Sequence, residues 1–241
     1  MMTSAAAADP LTMPPAPAGR NLPRAGSVLV VTARPGQESA DLGGLLYAFR
    51  RSGASLALLC LTRGEASPLN STWCARLEAV RPWELQLAAS VLGISEVTVA
   101  SCPDGGLRSH PAADLTQRVR HAIRRYCADL LLVIAPESGD PDDTGVARAA
   151  CAAARQADVP VVARAEARAG GTWTIDLGAD AAIARAIQKS ATAAHQSQSD
   201  ALPELIRRLD LQDDREALRW LVPPPATPEH DKTIPATTGP A

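Results

Sequence analysis

Residues 27–44 read Ser-Val-Leu-Val-Val-Thr-Ala-Arg-Pro-Gly-Gln-Glu-Ser-Ala-Asp-Leu-Gly-Gly. The first eight form a short apolar run, rich in β-branched residues, and predict a buried strand. Residues 39–52 predict a helix, with Gly53 just past its end. A polar turn built on Pro35 and Gly36 lies between them.

The same alternation continues along the chain. Residues 54–62 (ASLALLCLT) predict a second buried strand and 63–71 a polar loop. Residues 74–93 have a helical pattern, and Pro82 inside it predicts a kink or a break. Residues 96–101 predict a third strand. Residues 112–127 predict an amphipathic helix with Leu115, Val119, Ala122, Ile123 and Tyr126 on one face. Residues 129–135 predict a fourth strand, 144–157 a helix of small residues, 159–163 a fifth strand and 172–175 a sixth. Strands that alternate with helices and are apolar on both faces imply an α/β fold. Its expected form is a Rossmann-like, mainly parallel sheet covered by helices on both faces. Residues 1–26 and 222–241 are rich in Ala, Pro and Thr and are expected to be disordered tails. One domain is then expected over 27–221.

Ligands of such sheets bind outside the carboxyl ends of the strands. Three loops meet that rule: the one after Arg34, the one around Asp104, and the one from Glu137 to Asp143. Residues 33–44 resemble the signature A-H-P-D-D-E-x-x-G-x-G-G of the PIG-L/LmbE family of N-acetylglucosamine-type deacetylases. Pro35, Glu38, Gly43 and Gly44 match it. Further segments resemble the family in its order. They are Leu61–Ser67 (T-x-G-E-x), Arg81–Gly93 (R-x-x-E-L, A-A, L-G), Pro103–Leu107 (D-G) and Gly139–Gly145 (G-H-P-D-H-x-x). Ala194–Gln198 (H-x-S-Q) and a closing helix at Arg215–Arg219 (R-E-x-x-R) complete the series. The resemblance runs from about residue 27 to 221 and implies the family fold.

The resemblance also implies a divalent metal on two His and one Asp, with a second Asp as general base. Here Arg34 stands at a ligand His, Gln37 at the ligand Asp and Asp143 at the other ligand His. Gly36 stands at the base and Asp140 at an auxiliary catalytic His. A guanidinium has no lone pair to offer and repels a divalent ion. No metal and no cofactor are therefore expected. Arg34 can instead fill the metal's place and pair with Asp140 or Asp143. The candidate catalytic residues are Arg34, Asp140, Asp143 and Glu38. The candidate substrate-binding residues are Gln37, Glu65, Arg81, Asp104 and His195, of which His195 reads as a pocket-wall or capping residue.

Composition bounds the partners. The formal charge is −2 and the 24 basic residues are scattered, so no basic stripe marks a nucleic-acid binder. Only Lys189 and Lys232 among them are lysines, a bias that goes with GC-rich bacterial genomes. No apolar run approaches the ~20 residues of a membrane span. The five cysteines form no C-x-x-C pair and read as free thiols of a reducing cytosol, so the expected location is cytoplasmic. Ser39 and Ser138 lie beside acids without a neighbouring His in sequence, which gives little support to a serine hydrolase.

Three functions fit these readings. The first is metal-independent chemistry on a small molecule, with bacterial specialised metabolism as the setting. The second is a non-catalytic pseudoenzyme that binds a ligand, a second copy or an active homologue. The third is an amide hydrolase with a metal site rebuilt from Glu38, Asp41, Asp142 or Asp143, which would suit a hard cation.

Overall fold

The computed structural model describes residues 22–66, 77–166, 169–198, 202–210, 212 and 214–225. Among them, seven strands form one sheet in the order β3-β2-β1-β4-β5-β7-β6. The strands are β1 (Ser27–Thr32), β2 (Ser55–Thr62), β3 (Glu96–Cys102), β4 (Leu130–Ile134), β5 (Val161–Arg164), β6 (Thr172–Asp176) and β7 (Arg215–Val222). β1 to β5 pair in parallel, while β7 runs antiparallel to both β5 and β6. The helices are α1 (Gln37–Ala40), α2 (Gly43–Arg51), α3 (Leu77–Leu92), α4 (Ala112–Arg125), α5 (Pro141–Ala157), α6 (Ala181–Ala193) and α7 (Leu202–Asp210).

Alternation along β1 explains the layers. Leu29 and Val31 point to one face and join the core that α4 and α5 cover. Val28 and Val30 point to the other face and join the core of α2, α3 and α6. All four are fully buried, as a central parallel strand requires. Gly43 and Gly44 bring α2 against α6. A Cβ at Gly43 would meet Gln188 Cγ at 2.6 Å, and one at Gly44 would meet Glu216 Oε1 at 2.6 Å.

The expected strands and helices form, with four differences. The first predicted helix is two, α1 and α2, with Asp41 and Leu42 between them. Of the kink or break expected at Pro82, the break does not occur, since α3 continues through it. Residues 74–76 of that prediction lie outside the described residues. Arg215–Arg219 is not a helix but the start of β7, where Trp220 packs against Trp173 with ring centroids 5.5 Å apart. Leu22 is buried in the core beside Ala25, so packing begins ahead of Ser27. Residues 1–21 and 226–241, most of the two expected tails, lie outside the described residues.

The chain leaves β1 toward β2 on one side, and β4 returns on the other. Strand order therefore reverses between β1 and β4, and the crevice at their carboxyl ends is where such sheets hold ligands.

Candidate functional site

The loops after β1, β3 and β4 meet at this crevice, and Arg34 is where they meet. Its Nη1 lies 2.8 Å from Asp140 Oδ2 and its Nη2 3.2 Å from Asp140 Oδ1. This is a two-pronged pair of the kind a planar guanidinium favours. Arg34 Nε is 3.3 Å from Asp104 Oδ1, and Nη2 is 3.5 Å from Asp142 Oδ2. Burial alone would lower the Arg34 pKa, but Asp140, Asp104 and Asp142 outweigh it and hold it above its ordinary value.

Gln37 spends both ends of its amide. Its Oε1 accepts from the N–H groups of Ala33 at 2.9 Å and Arg34 at 3.2 Å. Its Nε2 donates to Asp143 Oδ1 at 2.8 Å. Ser138 Oγ donates to the other oxygen, Asp143 Oδ2, at 2.6 Å. Burial raises the Asp143 pKa. The two hydrogen bonds oppose that shift, while Asp140 and Asp41 add to it. Asp143 thus has a pKa above its ordinary value while it still lines a cleft.

Asp140 caps α5 by accepting from Asp142 N–H at 2.9 Å. Pro141 follows at the first helical turn, where its missing N–H is harmless. Asp142 is 1 % exposed, and its oxygens accept from Gly105 N–H at 2.8 Å and Leu107 N–H at 2.9 Å. It ties the β3 loop to α5, a role that its type and spacing did not reveal.

The remaining candidate residues brace the loops. Asp104 accepts from Thr62 Oγ1 at 3.3 Å and from Ala66 N–H at 3.0 Å. Glu65 accepts from Asp104 N–H at 2.9 Å. Arg81 is buried and donates to the Gly64 carbonyl, and burial lowers its pKa. Glu65, Arg81 and Asp104 line neither of the two clefts described below. Glu38 is fully buried and forms a node with His195 and Ser39. His195 Nε2 lies 2.7 Å from Glu38 Oε1, Ser39 Oγ donates to the same oxygen at 2.6 Å, and Gly36 N–H donates to Oε2 at 2.8 Å. Burial alone would raise Glu38. The charge and hydrogen bond of His195, with Ser39 and Gly36, reverse the shift and hold it below its ordinary value. Ser39 Oγ is also 3.4 Å from His195 Nε2, but Ser39 is fully buried and so offers no attacking hydroxyl. This node pins α1 to the chain after α6.

Two clefts open at the site. One, of about 330 Å³, is lined by Gln37, Asp41, Ser138, Asp140, Asp143 and Arg164, with Arg208 at its edge. The other, of about 240 Å³, is lined by Arg34, Gly36, Asp140, His195, Gln198 and Arg208. Sequence reasoning missed Asp41 as a cleft wall, Arg164 and Arg208. Arg164 had a signal, since it is the last residue of β5 and so lies at the ligand-binding end.

The donors do not fit the family's metal. Arg34 brings a cation, and Gln37 has both amide groups committed. Gly36 adopts φ 105°, a left-handed conformation that an Asp in its place would strain. Glu38, Asp41, Asp142 and Asp143 form no ligand group among the described residues, where the one close group is Cys102, His110 and Asp114. In that group Arg118 Nε occupies Asp114 Oδ2 at 2.8 Å.

Comparison with known proteins supports the fold. A conserved protein of Thermus thermophilus superposes with a TM-score of 0.63 at 21% identity, covering 84% of this chain and 97% of its own. A deacetylase of teicoplanin biosynthesis gives a TM-score of 0.66 at 14% identity over 80% of this chain and 96% of its own. The 4-carboxy-2-hydroxymuconate hydratase of Pseudomonas putida KT2440 gives 0.62 at 18% identity over 83% of this chain and 98% of its own. No protein among those of curated function matches the sequence. Among the described residues, no helix is long and apolar enough to cross a membrane. The family model of the PIG-L GlcNAc-PI de-N-acetylases matches residues 29–154, more than half of the chain, and the protein belongs to that family.

Proposed function

We propose that this family member performs acid–base chemistry on a small molecule without the family's metal. One observation carries the reading: Arg34, Gln37 and Asp143, at the positions of the family's metal ligands, are tied up in contacts with Asp140 and with each other, while the cleft beside them stays open. Arg34 lines the smaller, adjoining cleft, joined to the larger one through the shared walls Gln37 and Asp140, and is a fixed cation that can hold an oxyanion or polarise a carbonyl there. Asp143, with its raised pKa, is the group suited to give and take a proton. Gln37 and Ser138 orient its carboxyl. Glu38 and His195 keep the loop in place and stay out of the chemistry. The fold accommodates more than amide hydrolysis, since a hydratase shares it.

The test offers amides, esters and unsaturated acids to protein stripped with a chelator, and follows products by mass spectrometry. Turnover that survives the chelator and falls in Asp143→Asn supports the reading. Turnover that needs an added divalent ion refutes it.

A second reading, a non-catalytic partner protein, is favoured by one feature. Val80, Trp83 and Leu87 are 37 %, 76 % and 62 % exposed along one side of α3. Such a stripe suits a protein contact.

A further inference from the structure

The charges around the larger cleft are nearly all paired. Asp140 is held by Arg34 at 2.8 Å. Asp41 Oδ1 faces Arg208 Nη2 at 3.3 Å. Glu137 is held by Arg219 at 2.5 Å. Asp143 takes hydrogen bonds from Gln37 and Ser138. Glu166 is exposed at the rim.

Arg164 is the exception. It closes β5 at the ligand-binding end and lines the cleft. Its Nε is buried without a hydrogen-bond partner. Among the described residues its guanidinium makes no hydrogen bond, and its ion pair is a loose one, Nε to Glu216 Oε2 at 3.8 Å. Glu216 is shared, with its other oxygen held more closely by Arg185 at 2.6 Å. Burial raises the Asp41 pKa, and the charge of Arg164, ahead of that of Arg208, opposes the shift, although the direct contact of Asp41 is with Arg208. A half-buried guanidinium with unused donors is costly unless a ligand completes it. Arg208, on the cleft edge, has the surface for a second contact, being 52% exposed and tied to Asp41 by one nitrogen.

We infer that Arg164, assisted by Arg208, is the anion subsite of the cleft, and that the molecule it holds is a small carboxylic acid. A planar fork of N–H donors matches a carboxylate edge-on with two parallel hydrogen bonds. The cleft, about 330 Å³, is at the small end of ligand sites and suits a compact acid better than a glycan chain. Asp143 lines the same cleft, so a carboxylate on Arg164 places the rest of the molecule within the space that Asp143 faces. This inference rests on the metal-free acid–base reading for its chemistry, but the subsite exists whether or not turnover follows.

The test is calorimetric titration of chelator-treated protein with succinate, glutarate and citrate. Succinamide serves as the neutral control and inorganic phosphate as the competing anion. The carboxylates bind the wild type, succinamide does not, and phosphate binds more weakly. Arg164→Gln weakens the carboxylates by about tenfold or more, Arg208→Gln by less, with thermal unfolding unchanged in both. Arg164→Lys does not restore the affinity, because one ammonium cannot reproduce the fork. Carboxylate binding that is absent, unchanged in Arg164→Gln, or no tighter than that of phosphate overturns the inference. Turnover of neutral amides with no carboxylate binding would sink the subsite and leave the acid–base reading standing. Metal-dependent turnover with Arg164-dependent carboxylate binding would do the reverse.

Discussion

Gln37 Nε2 donates to Asp143 Oδ1 at 2.8 Å and so joins the first turns of α1 and α5 across 106 residues of sequence. The resemblance places both residues where the family has metal ligands, and here they bind each other. Arg34 and Asp140 do the same beside them. These contacts are what the proposal of protein hydrogen bonds in exchange for the metal rests on.

Reversing that exchange is a direct test of the assignment. Arg34→His, Gln37→Asp and Asp143→His together restore the donor set. The triple variant is expected to take up about one equivalent of zinc, read by elemental analysis. Gly36 is left alone, since its φ of 105° disfavours a side chain. Failure to bind would mean that the loops hold these positions too far apart for a shared ion.

Removing the cation leaves three acids without it. Arg34→Ala is expected to destabilise the fold by about 2 kcal/mol in urea unfolding. This is less than a fully buried pair would cost, because a third of Arg34 and a quarter of Asp140 are exposed. Arg34→Lys recovers only part of it, having lost the two-pronged contact.

The Glu38–His195 pair is expected to make the fold sensitive to acid. Glu38 is held below its ordinary value, so its stabilising contribution is present above the unfolded pKa of about 4.3 and is lost as pH falls through the lower folded value. Denaturation curves from pH 7 to 3 are expected to show Glu38→Gln less stable than wild type at neutral pH, with the gap closing at the acid end. A gap independent of pH would contradict the pairing.

Asp143 has the opposite sign. Its folded pKa is raised, so ionising it costs stability as pH climbs from the ordinary carboxylate value to the raised one. Asp143→Asn removes that cost. The stability of the variant relative to wild type is expected to rise across that interval and then level off. A constant difference would show that Asp143 titrates normally.

Much of the fold was legible because its signals are local. The apolar runs at 27–34, 54–62 and 129–135 are short and apolar throughout, and read as buried strands. The strand at Arg215–Val222 was not legible, because its R-E-x-x-R spacing suits a helix. The pairings of Val162 with Trp220 and of Trp173 with Leu218 decide the matter, and they are long-range. The site was legible as a set of positions and less so as a set of roles. Arg34, Gln37, Asp140 and Asp143 converge. Glu65, Arg81 and Asp104 each hold backbone groups that no motif shows, and Asp104 also faces Arg34 and Thr62. Arg164 went unnoticed because an arginine ending a strand looks ordinary until every neighbour is seen to be paired.

If protein groups stand in the place of the metal, the chain takes up no zinc there. The most direct measurement is the zinc content of the purified protein after incubation with zinc and removal of the excess, made on a Cys102→Ser background to keep that thiol from contributing. Less than about a tenth of an equivalent is the predicted result, given a cation and a committed amide at two ligand positions. About one equivalent, lost again in Asp143→Ala, would contradict it.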